Sequence, residues 1–239
     1  MTDPNVEPRG RETATRVAAY NLRALLDDPQ AAARVVRAIK PDVLLVQEIP
    51  RGPRSAVSIR AFAGDCDMRW PGRTRRISGT SLVVGPRVQV HTRVDRALPV
   101  EFMGNPRTYS YARVQVEGGQ PFAAISIHLP LRHDQRRQHV GQLLSELTVH
   151  PDVGELPWVI GGDLNEGQVE PAWQIMDGEV PLASTAGLCT FPAIRPKVAI
   201  DAIFASHALR GQPGGEVDIA LVDLTTATDH RPVWVDLLT

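Results

Sequence analysis

The polar groups able to do chemistry in this chain recur at one kind of place. They stand at the ends of apolar runs that read as strands, where a rigid scaffold can hold them against a substrate. Asn21 follows Val17-Ala18-Ala19-Tyr20, Gln47 and Glu48 follow Val43-Leu44-Leu45-Val46, and His128 follows Ile125-Ser126-Ile127. Asp163 and Asn165 close the run from Trp158, Asp229 and His230 stand just before Pro232 and Val233, and Asp201 lies between Ile200 and Ala202. Singly, each has an ordinary structural reading. An Asn after a strand forms turns, Glu48 can be a solvated strand end, His128 a satisfied core histidine, and Gly161-Gly162-Asp163 a glycine turn. Asp201 resists such a reading, because a lone carboxylate in an apolar strand is costly unless an imidazole or a metal answers it.

The elements that must carry these groups are mostly strands. A strand over 16–22 is followed by a helix in which Ala32, Val35, Val36 and Ile39 fall at i, i+3, i+4, i+7, and Pro41 stops it. The continuous apolar run over 42–49 reads as a buried strand, which completes a β-α-β unit. Strands are then expected over 81–84, 88–94, 109–116 and 122–129, with Gly118-Gly119 turning between the last two. Val140, Leu143, Leu144 and Leu147 predict a helix over 133–149, ended by Pro151. A strand over 158–164, a short helix over 171–176, and strands over 199–205 and 232–237 finish the chain. The pattern predicts a layered α/β sandwich with mixed sheets, one domain over 16–239 behind a loose polar tail at 1–15.

Composition sets outer bounds. With 239 residues, 43% hydrophobic and 22% charged, the chain is an ordinary globular sequence and not a disordered one. A formal net charge of −1 excludes a global positive field, so any contact with nucleic acid must be local. Cys66 and Cys189 fit neither a disulfide framework nor a zinc-ligand spacing and read as free thiols in a reducing compartment. No apolar run approaches the ~18 residues of a membrane span. Together these set the expectation of a cytoplasmic protein without a membrane span.

Taken in order, six motifs resemble the endonuclease/exonuclease/phosphatase superfamily of DNase I-like phosphohydrolases over 17–237. They are Tyr20-Asn21, Pro41-Asp42-Val43-Leu44-Leu45-Val46-Gln47-Glu48, Ser126-Ile127-His128-Leu129, Gly162-Asp163-Leu164-Asn165, Ile200-Asp201-Ala202-Ile203 and Thr228-Asp229-His230-Arg231-Pro232-Val233. The resemblance implies a four-layer α/β/β/α sandwich of two mixed β-sheets. It also implies divalent-metal-dependent hydrolysis of a phosphoester by in-line water attack. Glu48 would be the main metal carboxylate, helped by Asn21 and Asp229, with Mg²⁺ or Mn²⁺ as the ion. Such oxygen donors suit a hard cation that keeps several waters. His230 would lie nearest the phosphorus with Asp201 bonded to it, while Asp163 and Asn165 orient the attacking water. The general base stays open between Asp163 and His230. His128 matches the histidine that protonates the leaving oxygen in the nuclease branch, and Arg113 an arginine that touches phosphate or that histidine. Leu164 stands where an aromatic is commoner and Thr228 where serine is frequent; neither departure removes a reacting group.

Family loops after the glutamate border the cleft, and here that stretch holds Arg51, Arg54, Arg60, Arg69, Arg73, Arg75 and Arg76 around Trp70. Arg75 and Arg76 are therefore expected to contact phosphate and Trp70 to stack on a base, with Arg132 on a second basic stretch after His128. A solvated loop diluted by Asp65 and Asp67 is the plain reading of the same residues. Nucleic acid is the expected substrate, a small phosphoester the alternative, and a lipid head group the third. A catalytically silent binding module on the same fold is the reading from another class.

Overall fold

The computed structural model describes residues 14–72, 79–98 and 107–238. The chain opens with β1 (Thr15–Asn21), α1 (Pro29–Ile39) and β2 (Val43–Gln47), and β1 and β2 run parallel. Asp28 starts α1 by accepting from the backbone N–H of Gln30 and Ala31, with Pro29 in the first turn. Lys40 in the left-handed region ends it. α2 (Ser55–Asp65) and β3 (Thr80–Val84) follow. Next come β4 (Val88–Leu98), β5 (Arg107–Val116), β6 (Phe122–His128), α3 (His133–Val149) and β7 (Trp158–Asp163). The chain ends with α4 (Pro171–Glu179), β8 (Asp201–Ala205), β9 (Gln212–Pro213), α5 (Leu221–Thr226) and β10 (Val233–Leu237).

The strands form two five-stranded mixed sheets, ordered β3-β2-β1-β10-β9 and β4-β5-β6-β7-β8. Side-chain alternation divides each central strand between two cores. In β2, Val43 and Leu45 enter the core between the sheets, while Leu44 and Val46 pack toward α1 and α2. In β6, Ala124 faces the inter-sheet core while Ile125 and Ile127 face α3 and α4. Burial on both faces is why these strands read as continuous apolar runs and not as alternating ones. The result is the four-layer α/β/β/α sandwich that the resemblance implied.

Several elements differ from the sequence expectation. Part of the arginine-rich stretch after Glu48 is α2, which carries Arg60 and buries Ser55, Ile59, Phe62 and Ala63 at helical spacing, while Arg73, Arg75 and Arg76 lie outside the described residues. Trp70 is 8% exposed, donates its Nε1–H to Ser81 Oγ at 2.7 Å, and has the Arg60 and Arg93 guanidinium groups 5.2 and 5.8 Å from its ring centroid. It packs in the core and offers no open face to a base. β4 runs four residues beyond the expected 88–94, and α4 continues to Glu179. β8 begins at Asp201, which places that carboxylate at a strand start and not within the strand. Among the described residues no helix is long and apolar enough to cross a membrane.

Candidate active site

Strand direction gathers the polar residues at one edge. β1 and β2 are parallel and end level, Asn21 opposite Gln47. β6 and β7 are parallel and end level, His128 opposite Asp163. β8 runs antiparallel to β7 and starts where β7 stops, Asp163 opposite Asp201. β10 is antiparallel to β1, so Asp229 and His230 just before it arrive at the same edge. Two parallel pairs ending together, with their antiparallel neighbours starting there, leave a cleft at the carboxyl ends of the strands.

Local geometry sharpens the arrangement. Gly162 has φ +147°, and a side-chain carbon on it would meet Ile127 O at 2.0 Å and Gln47 Nε2 at 2.8 Å, so the β7 backbone can approach the other sheet here only as glycine. Gln47, fully buried, donates to Ser126 Oγ at 2.9 Å across the two sheets. Glu48 and Asn165 both hold positive φ, 50° and 52°, a conformation costly for a non-glycine residue and concentrated at functional sites. Asn165 keeps it with help: its N–H donates to Asp163 Oδ1 at 2.9 Å and its Nδ2 to Leu129 O at 2.9 Å.

At the centre is Asp163. Its Oδ2 accepts from Asn21 Nδ2 at 3.0 Å and lies 3.4 Å from His128 Nε2 and 3.7 Å from His230 Nε2. Asn21 Nδ2 also donates to Glu48 Oε1 at 3.3 Å. His230 Nδ1 and Asp201 Oδ2 are 2.8 Å apart, and Thr190 Oγ1 donates to the same oxygen at 2.6 Å. Ligand atoms of Glu48, His128 and Asp163 lie within 4.8 Å of one another, as do those of Asp163, Asp201 and His230.

Burial and neighbouring charge set the protonation states. Desolvation, reinforced by Asp201, pushes the Asp163 carboxyl up to about 7. At His230 burial opposes the charged ring, yet the Asp201 carboxylate outweighs it and holds the imidazolium up to about 9. His128 goes the other way: burial, then Arg107, His230 and Arg51, hold it well below the ordinary histidine value, so its ring is neutral. Two imidazoles of one cleft thus carry opposite charge states.

Of the residues singled out from sequence, Asn21, Glu48, His128, Asp163, Asn165, Asp201 and His230 meet here. Asp229 stands beside them but is engaged elsewhere, its Oδ2 lying 3.5 Å from Arg23 Nε. Asn21 turns its amide nitrogen to the carboxylates while its Oδ1 accepts from Arg23 N at 3.0 Å, so ligating a cation through oxygen requires the amide turned over. Arg113 is not brought to the cluster. It pairs with Ala123, near the far end of β6 from His128, and its Nε is buried without a partner among the described residues. Arg132 is at the rim but bonded to Asp134 at 2.8 Å. Arg75 and Arg76 lie outside the described residues.

The residue that sequence reading missed is Arg107, whose Nη1 lies 3.2 Å from His128 Nδ1 and 3.3 Å from Nε2. The signal was available in the hairpin. Counting both strands back from Gly118 and Gly119 brings the start of β5, not its middle, level with His128, as the pairing of Tyr109 with Ile127 confirms. Burial depresses the Arg107 guanidinium against the nearby Asp163 and Glu48 carboxylates.

Behind the two strand ends lies a buried ion pair, Arg136 Nε to Glu166 Oε2 at 2.6 Å. Arg136 also bonds Glu170 at 2.9 Å and Leu131 O at 2.6 Å, and Glu166 Oε1 accepts the Trp173 N–H of α4. The pair ties the loop after His128 to the loop after Asn165. Removing one partner strands a buried charge, so Arg136→Met is expected to lower unfolding free energy by about 3–5 kcal/mol in urea titration. A loss under about 1 kcal/mol would show that the pair is not buried as described.

Two face-to-face mixed sheets with carboxylates and imidazoles gathered at one strand edge define a DNase I-like sandwich. The chain belongs to the Endonuclease/Exonuclease/phosphatase family, whose model matches residues 18–230. Solved structures agree in fold. The mannosyl-6-phosphatase of Bacteroides thetaiotaomicron superposes with a TM-score of 0.75 at 17% identity over 94% of this chain and 100% of that one. The human Nocturnin catalytic domain gives 0.74 at 16% over 94% of each chain. An endonuclease/exonuclease/phosphatase protein of Bacteroides vulgatus gives 0.73 at 21% over 94% and 98%. No curated protein sequence matches the chain.

Proposed function

We propose that the chain hydrolyses a phosphoester, most simply a phosphodiester of the kind found in nucleic acid, by in-line attack of water with a divalent cation bound. The observation that supports this reading above others is the junction at Asp163, where a carboxyl near neutrality lies between a neutral and a charged imidazole. The donor set also fits a hard cation: oxygen ligands predominate, and the clusters formed among the described residues include no thiolate. Glu48, half-exposed at the mouth with Asn21 against it, would hold the cation, with Asp229 the next carboxylate along. When bound, Mg²⁺ or Mn²⁺ supplies Lewis-acid polarisation of a phosphoryl oxygen.

The protein's own groups divide the remaining work. His230, charged and held by Asp201, cannot accept a proton; it donates to the phosphoryl oxygens and stabilises the charge that builds on them. Asp163, held by Asn21 and Asn165, is suited to take the proton of the attacking water. Arg107 binds the phosphate beside His128. An anionic phosphate there raises the basicity of His128, which can then pass a proton to the leaving oxygen.

The test is release of p-nitrophenol from bis-p-nitrophenyl phosphate with Mg²⁺ or Mn²⁺, abolished by EDTA. Absence of turnover with every divalent cation, on this substrate and on DNA, RNA and phosphomonoesters, would favour a binding module. Cation binding itself is expected to raise Tm by about 5–10 °C at a free concentration about 100-fold above Kd. An unchanged Tm across millimolar Mg²⁺ and Mn²⁺ would remove the metal from the reading.

A further inference from the structure

Three residues beyond Glu48, Arg51 is exposed at the mouth of the cleft. Its Nη2 lies over Gly79, 3.3 Å from where a side-chain carbon on that residue would stand, and Thr108 Oγ1 is 3.7 Å from the same point. The Gly79 N–H donates to Thr108 Oγ1 at 2.9 Å, and Thr108 is the neighbour of Arg107. Arg51 thus stands at the end of β5 that also carries Arg107. The two are close enough for Arg51 to depress Arg107, and for both to depress His128.

Three other arginines around this edge have carboxylate partners, whereas Arg231 gives its Nε–H to Ala193 O at 2.9 Å. Arg23 has Asp27 and Asp229, Arg132 has Asp134, and Arg136 has Glu166 and Glu170. Arg51 and Arg107 make no carboxylate ion pair among the described residues. Two adjacent guanidinium groups, one of them largely desolvated, repel unless an anion lies between them. Their planar donor forks suit phosphate oxygens. Arg107, against His128, is committed to the phosphate that reacts, so Arg51 is left for an anion further out.

We propose that Arg51 is a specificity-determining residue that binds a second phosphate of the substrate, next to the one that is cleaved. The proposal rests on the phosphoester-hydrolase reading above and narrows it to substrates carrying two neighbouring phosphates. An oligonucleotide supplies them, and so does a small bisphosphorylated metabolite.

The test compares kcat/KM with and without the second group. A thymidine dinucleotide with and without a 5′-phosphate forms one arm, and 2,3-bisphosphoglycerate against 3-phosphoglycerate the other; the arm that shows the preference identifies the source. Arg51→Ala is expected to shrink the preference by about 10- to 100-fold through KM, and Arg51→Lys to keep part of it. A loss shared equally by substrates with and without the second phosphate, or no loss, overturns the proposal. Calorimetry needs no turnover and separates this outcome from failure of the hydrolase reading. Pyrophosphate is expected to bind more tightly than inorganic phosphate, with the margin lost in Arg51→Ala. An equal margin in both proteins, or none in the unsubstituted one, overturns it.

Discussion

Replacing His230 with alanine is expected to lower kcat/KM for phosphoester hydrolysis by about 1,000-fold or more, ~4 kcal/mol of transition-state stabilisation. The ring is buried, its Nδ1 lies 2.8 Å from Asp201, and its Nε2 faces the cleft 3.7 Å from Asp163. Asp201 secures both its tautomer and its charge, so the proton on Nε2 is in place before substrate arrives and requires no reorganisation during the reaction. Its loss should therefore fall on kcat more than on KM. Retention of activity within about tenfold, in a variant of unchanged Tm, would mean that the imidazolium does not meet the phosphoryl group.

Asp163→Asn should produce a comparable loss while moving stability in the opposite direction. Under the proposed role of Asp163 as base, conversion to amide removes the proton-accepting oxygen, and a fall of about 100- to 10,000-fold in kcat is expected. In the cation-free protein the carboxyl is raised to about 7 from an unfolded value near ~3.9. A group raised on folding contributes stability that is full below the unfolded value and is lost as pH climbs through the folded one. The unsubstituted protein in EDTA should accordingly lose stability between about pH 4 and 7 through this residue, and the Asp163→Asn variant should not. The measurement is Tm against pH for both proteins. The gap should open in favour of the variant as pH rises and level off above about 8. A gap that is flat with pH, or that opens the other way, would show Asp163 to be an ordinary ionised carboxylate, and its assignment as base would fall with it.

Both predictions concern residues visible in the sequence, because a polar group closing an apolar run is a local pattern. The same holds for α3, whose bounds at 133 and 149 follow from helical spacing and a terminating proline, and for β2, whose four apolar residues announce burial on both faces. Motif order went further, since the Gly-Asp-x-Asn and Asp-His-Arg-Pro-Val segments implied the fold and the family before any contact was known. These are properties of short stretches, and short stretches carry their own physical reasons.

What sequence left undecided depends on how distant segments are set against each other. The resemblance pointed to Arg113 and left Arg107 unnamed; the register of β5 on β6 puts Arg107 against His128. Trp70 amid arginines invited stacking on a base, until folding placed Ser81 and the core around it. The neutral state of His128 was equally out of reach. His128 and His230 are the same side chain, and their opposite protonation arises from Arg107 beside one and Asp201 beside the other, each brought in by a different strand pairing. Residue type and periodicity are written along the chain, whereas pKa, pairing register and the direction a side chain faces are fields and contacts between parts of it, which exist only once the two sheets close.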